Sequence, residues 1–93
     1  MQMLEIISLR TSGSFEREAR EYMKNFCEIV KKHNLSEADL YVHDSIPGDL
    51  AIVIISRDPE SIMSKTALGN YMMEVLKQFG LVDYNCWHLA GDK

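Results

Sequence analysis

Residues 50–56, with the sequence LAIVIIS, constrain the fold of this chain more than any other segment. The run is apolar on both faces of a strand, and its β-branched side chains favour a pleated structure. It is far shorter than the roughly 18 residues that a membrane-spanning helix requires. Pro47 and Gly48, which are typical turn residues, lie just before it. The segment therefore predicts a strand in the centre of a sheet.

Short apolar or alternating runs predict three further strands, and helical spacing of apolar residues predicts two helices. The predicted strands are residues 3–9, 40–45, 50–56 and 81–89, and the predicted helices are residues 15–33 and 58–79. Asp58 followed by Pro59 is typical of a helix start, and Gly80 is typical of a helix end. Gly69 could divide the second helix, because glycine weakens a helix interior.

The resulting order, βαββαβ, predicts a ferredoxin-like fold of the α+β class. In this arrangement a four-stranded antiparallel sheet carries both helices on one face, and the first and third strands are central. The chain has 93 residues, of which 46% are hydrophobic. That is enough for one buried core, so residues 1–93 are predicted to form a single domain.

Charge and cysteine usage narrow the partners and the compartment. The net charge of -4 argues against nucleic acid and anionic membranes, whose binders are basic. No targeting or transmembrane segment is evident in the sequence. Cys27 and Cys86 form no CxxC pair, which indicates free thiols and a cytoplasmic protein.

Alternation along the strands predicts which side chains face the helices and which lie on the opposite, open face. The predicted helix-facing residues are Leu4, Ile6, Leu40, Val42, Leu50, Ile52, Ile54, Val82, Tyr84 and Cys86. The predicted open-face residues are Met3, Glu5, Ile7, Leu9, Tyr41, His43, Ala51, Val53, Ile55, Arg57, Asp83, Asn85, Trp87 and Leu89. This second set is too apolar to remain in water and too polar for a plain core. It predicts a second sheet packed on the open face, with a cavity lined by the polar members.

The strand segments LEIISL, LYVHDSIPGDLAIVIIS and LVDYNCWHL, with the helices between them, resemble the dimeric α/β-barrel superfamily in their architecture. The resemblance implies homodimers whose sheets pack face to face around a small-molecule pocket. It also implies a range of activities, which includes cofactor-free monooxygenases, isomerases, haem-handling enzymes and members without catalysis. The fold alone does not select among them.

His43, Tyr41 and Glu5 form the candidate proton-handling group of the predicted open face. Histidine is the natural general base near neutral pH, and a tyrosine or a carboxylate can orient it. The alternative for His43 is a structural position at the rim of the dimer.

Three further residues are candidates for ligand binding. Trp87 and Asn85 could cover an aromatic ligand, although Trp87 could equally anchor the dimer. Arg57 could hold a carboxylate, or it could pair with Asp58 or Glu60. The complete predicted ligand-binding set is Glu5, Tyr41, His43, Arg57, Asn85 and Trp87.

The sequence predicts neither a metal nor another cofactor. Cys86 and His88 have same-face spacing, but no third or fourth ligand accompanies them.

The leading functional hypothesis is a homodimer that binds a small molecule on the open sheet face. One alternative is a cofactor-free enzyme of monooxygenase or isomerase type, with His43 as general base. Another is a regulatory domain of ACT type, although the glycine-centred ligand turn of such domains is not evident.

Overall fold

The computed structural model describes residues 2–32, 37–56 and 67–90. β1 spans Met3–Thr11, α1 Glu16–Lys32, β2 Glu37–Val42, β3 Asp49–Ser56, α2 Ala67–Leu76 and β4 Gly80–His88. Short 3-10 turns precede α1 at Gly13–Phe15 and follow α2 at Lys77–Phe79. The predicted βαββαβ order and α+β class are confirmed. The predicted helix start at Asp58 and Pro59, and the position of Arg57, lie outside the described residues.

The strands form one antiparallel sheet in the order β2-β3-β1-β4, so β1 and β3 are central as predicted. Residues that pair directly across neighbouring strands point to the same face of the sheet. Ile7 pairs with Ile52 on one side and with Tyr84 on the other. All three side chains are buried, which identifies this as the face that the helices cover.

The core lies between this face and the helices. Its largest helix residues, Met23, Phe26 and Val30 on α1 and Met72 and Leu76 on α2, are all buried. Fully burying a side chain of this size contributes roughly 1.5–3 kcal/mol to stability. The helices thus occupy one face of the sheet and leave the other face open.

The predicted faces of β1 are wrong, whereas those of β3 and β4 are confirmed. Met3, Ile7 and Leu9 point to the helices with Glu5, and Leu4 and Ile6 point to the open face. Both sets contain apolar residues, so alternation alone does not decide the facing. The prediction puts Glu5 on the open face because the face that packs against the helices is expected to be apolar, and a buried carboxylate needs a partner. Tyr84 supplies that partner here.

The second strand also differs from the prediction, since β2 begins at Glu37 and ends at Val42. Ala38, which the prediction left outside the strand, pairs with Ile54 and is buried. His43 therefore lies one residue beyond the end of β2. Its backbone still continues the pairing, because the His43 amide donates to the carbonyl oxygen of Asp49 at 2.9 Å.

Gly69 lies inside α2 and does not divide it. The helix passes so close to the sheet that a Cβ at this position would overlap the Tyr84 hydroxyl. The same atom would approach Oε1 of Glu5 to 2.6 Å. Gly69 therefore serves close packing over a buried polar pair, and it does not act as a helix break.

Candidate functional site

The open face carries four rows of side chains that run across the strands. The rows follow from the strand pairing and the turn. From one end to the other they are His43–Asp49–Arg10–Leu81, Tyr41–Ala51–Ser8–Asp83, Asp39–Val53–Ile6–Asn85 and Glu37–Ile55–Leu4–Trp87. Polar groups dominate the first two rows across the sheet. In the last two rows the central strands contribute only apolar side chains.

A cavity of about 390 Å³ lies over the first two rows. The open-face side chains that line it are Ser8, Arg10, Tyr41, His43, Asp49, Ala51, Leu81 and Asp83. Every strand contributes to it, because β1 and β2 end at this edge of the sheet while β3 and β4 begin there. The small side chain of Ala51 on a central strand leaves room for the cavity between the longer side chains on the edge strands.

Arg10 and Asp49 form a two-armed ion pair across β1 and β3 at the end of the cavity. Nε of Arg10 donates to Oδ1 of Asp49 at 3.0 Å, and the terminal nitrogen NH2 donates to Oδ2 at 3.1 Å. The hydrogen bonds from Arg10 lower the pKa of the Asp49 carboxyl below its ordinary value. Partial burial opposes this shift, and the charges of Arg10 and His43 add to it. Asp49 is therefore a fixed negative group whose charge Arg10 balances.

His43 closes the turn that joins β2 to β3. Its Nδ1 accepts a hydrogen bond from the backbone N–H of Ser45 at 3.1 Å and another from Ile46 at 3.0 Å. Asp49 in turn donates its backbone N–H to the carbonyl oxygen of Ile46 at 3.3 Å. The imidazole is thereby fixed at the rim of the cavity, as both a structural cap and a lining group.

The opposite wall of the cavity is formed by β4. Nδ2 of Asn85 donates to Oδ2 of Asp83 at 2.9 Å, which orients the carboxylate that lines the cavity. Leu81 stands beside it with 76% of its surface exposed. Asn85 itself lies one row further along and acts on the cavity through Asp83.

Trp87 lies on the open face, as predicted, but at its far end. It pairs with Leu4, in the same row as Ile55, and 58% of its surface is exposed. Three rows and the full width of the sheet separate it from His43. That corresponds to about 20 Å along the strands and about 14 Å across them. The prediction that a ligand roughly 10 Å long could touch both residues is therefore wrong.

Glu5 is not part of the open face. It is fully buried beneath α2, where the Tyr84 hydroxyl donates a short hydrogen bond to its Oε1. The prediction that Glu5 shares a face with Tyr41 and His43 is wrong, because the two faces of β1 are the reverse of those predicted. Of the predicted ligand-binding residues that the structure describes, Tyr41 and His43 line the cavity, whereas Glu5, Asn85 and Trp87 do not.

Sequence reasoning missed most of the residues that line the cavity. The predicted first strand ends before Arg10, and the prediction places Asp49 in the turn. Ser8 was not considered, because the reversed facing directed it to the helices. A signal was available: if β1 extends to Thr11 and pairs antiparallel with β3, Arg10 meets Asp49 as an oppositely charged cross-strand pair.

A second cavity, of about 360 Å³, lies on the other side of the molecule between α1 and α2. Its lining is mostly apolar and includes Tyr22, Phe26, Ile29, Tyr71 and Met72.

No group of three or more potential metal ligands occurs among the described residues. No helix in the described part of the chain is long and apolar enough to cross a bilayer.

No protein-family model matches the chain, and no curated protein matches it by sequence. Solved structures, in contrast, match over nearly its whole length. Rv0793 from Mycobacterium tuberculosis aligns with a TM-score of 0.72 and 10% identity, over 99% of this chain and 98% of its own.

Two further neighbours carry functional names. SnoaB, a cofactor-independent oxygenase from Streptomyces nogalater, aligns with a TM-score of 0.67 and 5% identity over 96% of this chain and 93% of its own. An antibiotic biosynthesis monooxygenase aligns with a TM-score of 0.66 and 13% identity over 98% of this chain and 99% of its own. At such identities the likeness establishes the fold alone. The predicted architectural resemblance is confirmed at the level of the fold, which this chain shares with these structures.

Proposed function

We propose that this protein is a homodimer that binds a small molecule in the open-face cavity, between Tyr41 and His43 on one wall and Leu81 and Asp83 on the other. The observation that carries the proposal is the division of the open face into two ends. One end is a cavity with fixed polar groups, and the other is an apolar surface. Ligand sites in proteins are concave, with apolar walls and a few oriented polar groups.

The partner that we propose for the apolar end is a second copy of the chain. Leu4, Ile6, Val53, Ile55 and Trp87 form a continuous apolar surface there. A sheet of four strands with up to nine residues each measures roughly 19 by 30 Å. The flat area of the whole face is about 570 Å². An interface of roughly 800 Å² per partner therefore requires the two open faces to pack around the cavity as well as at the apolar end. A two-fold dimer would bury the same surface on both copies.

Substitution of Ala51 tests the cavity as a ligand site. Ala51→Leu adds three carbon atoms to the floor of the cavity, so we expect the affinity for a bound probe to fall at least about tenfold. The probe is 1-indanone, a rigid bicyclic ketone small enough for a cavity of about 390 Å³. Its affinity is measured by titration of ¹H–¹⁵N amide shifts.

Ala67→Leu is the matched control, because it makes the same change at an exposed position on the helix side. We expect the control to bind 1-indanone like the unmodified protein. Equal binding by the Ala51→Leu variant would contradict the proposal that this cavity is the site.

A further inference from the structure

The hydrogen bonds at His43 determine which of its ring nitrogens is available to a ligand. A nitrogen that accepts two N–H groups cannot itself carry a proton. Nδ1 accepts from Ser45 and Ile46, so the neutral imidazole must carry its proton on Nε2. The described residues provide no hydrogen-bond partner for Nε2. The two nitrogens lie on opposite edges of the ring, so fixing Nδ1 in the turn directs Nε2 away from it.

We propose that His43 is a hydrogen-bond donor in the cavity, and that it makes the cavity select neutral ligands that present a carbonyl oxygen to Nε2–H. The inference rests on the proposed function and names the ligand chemistry of the same site. It departs from the prediction that His43 is a general base. To accept a proton, the ring would have to use Nδ1 and give up both hydrogen bonds of the turn.

The charges around the cavity favour a neutral ligand. Among the described residues that line it, Arg10 is the one permanently cationic group, and Asp49 accepts hydrogen bonds from its Nε and from one terminal nitrogen. The Asp83 carboxylate accepts a hydrogen bond from the neutral amide of Asn85, so it adds a negative charge to the cavity. An anionic ligand would therefore meet the negative charge of Asp83, whereas the positive charge of Arg10 is already balanced by Asp49. A ketone or an amide supplies the acceptor atom without that repulsion.

Two substitutions separate the two roles of the imidazole. In His43→Asn the side-chain oxygen lies near the position of Nδ1, so it can accept the hydrogen bonds of the turn. This variant has no donor at the position of Nε2. In His43→Gln the amide nitrogen reaches the place of Nε2, but no acceptor remains for the turn. The backbone amide shifts of Ser45 and Ile46 report whether the turn is retained.

The ligand test compares 1-indanone with indane, which has the same ring system and no oxygen. We expect the unmodified protein to bind 1-indanone about tenfold more tightly than indane, as one hydrogen bond in a partly desolvated site allows. His43→Asn should lose this preference while it retains the turn. His43→Gln should retain the preference even though the shifts of the turn amides change.

The protonation state is measured independently of any ligand, by two-bond ¹H–¹⁵N correlation of the His43 ring at pH 8. We expect a proton on Nε2 and none on Nδ1, and a proton on Nδ1 would overturn the inference. Equal affinities for 1-indanone and indane, or a preference that survives in His43→Asn, would overturn the proposed selection of carbonyl ligands by His43. Neither result would contradict ligand binding in the cavity. If the unmodified protein binds neither probe, the proposed function and the selection fail together.

Discussion

At the scale of single residues, the buried pair of Glu5 and Tyr84 makes a contribution to stability that can be measured. A buried carboxylate requires hydrogen bonds, and the Tyr84 hydroxyl supplies one of them. We expect Tyr84→Phe to lower the free energy of unfolding by about 1–3 kcal/mol, because it removes that donor from Glu5. Glu5→Gln keeps an acceptor for Tyr84, so it should lower the free energy of unfolding by less than Tyr84→Phe does. Urea denaturation measures both variants, and a Tyr84→Phe variant as stable as the unmodified protein would contradict this role.

Cys27 is a second residue whose environment has a measurable consequence. Burial in the core raises the pKa of its thiol to about 11 from an ordinary value of 9.0. The unfolded chain therefore loses this proton at lower pH than the folded protein, and the thiol's contribution to stability falls as pH rises from about 9 to 11. At pH 8 the buried thiolate should be roughly a hundredfold scarcer than in the unfolded chain.

Thiol labelling at pH 8 checks this expectation in a Cys86→Ala variant, which leaves Cys27 as the only cysteine. We expect slow labelling of the native protein and fast labelling in urea. Equally fast labelling under both conditions would show that Cys27 is not protected by the core.

At the scale of elements, the approach of α2 to the sheet depends on Gly69. A side chain at this position would collide with Tyr84 and Glu5. We expect Gly69→Ala to destabilise the protein by about 1–3 kcal/mol, although alanine is the better helix former. Glu74→Ala, on the exposed side of the same helix, is the control; it removes only an exposed ion pair with Lys77 and should change stability by at most about 0.5 kcal/mol. A stabilised Gly69→Ala variant would mean that α2 does not pack this closely.

The elements also show how far the sequence determines the fold and the site. The apolar or alternating runs of the four strands and the helical spacing of the two helices were sufficient to predict the element order and the fold class. The facing of β1 was not predictable from alternation, because its two faces differ by little and the partner of Glu5 lies 79 residues away. The cavity depends on that facing, so Ser8 could not be assigned to it, and Arg10 could be assigned only through its opposite charge to Asp49. The role of His43 could not be foreseen either, because it depends on the exact end of β2.

At the scale of the whole molecule, the open face predicts self-association. We expect a dimer at tens of micromolar protein, and Trp87→Ala should weaken it by on the order of 2 kcal/mol, about thirtyfold in Kd. Ile29→Ala removes a similarly exposed apolar side chain from the helix side and should leave the dimer unchanged. Sedimentation over a dilution series measures both variants. A monomeric unmodified protein at these concentrations would rule out packing of the open faces.

The most direct test of the account is the location of a bound ligand on the whole molecule. Isotope-filtered NOE spectra of the labelled protein with unlabelled 1-indanone report which side chains lie within a few ångströms of it. We expect NOEs to Tyr41, Ala51 and Leu81, which line the open-face cavity. NOEs to Tyr22 and Tyr71 instead would place the ligand between the helices and would contradict the account.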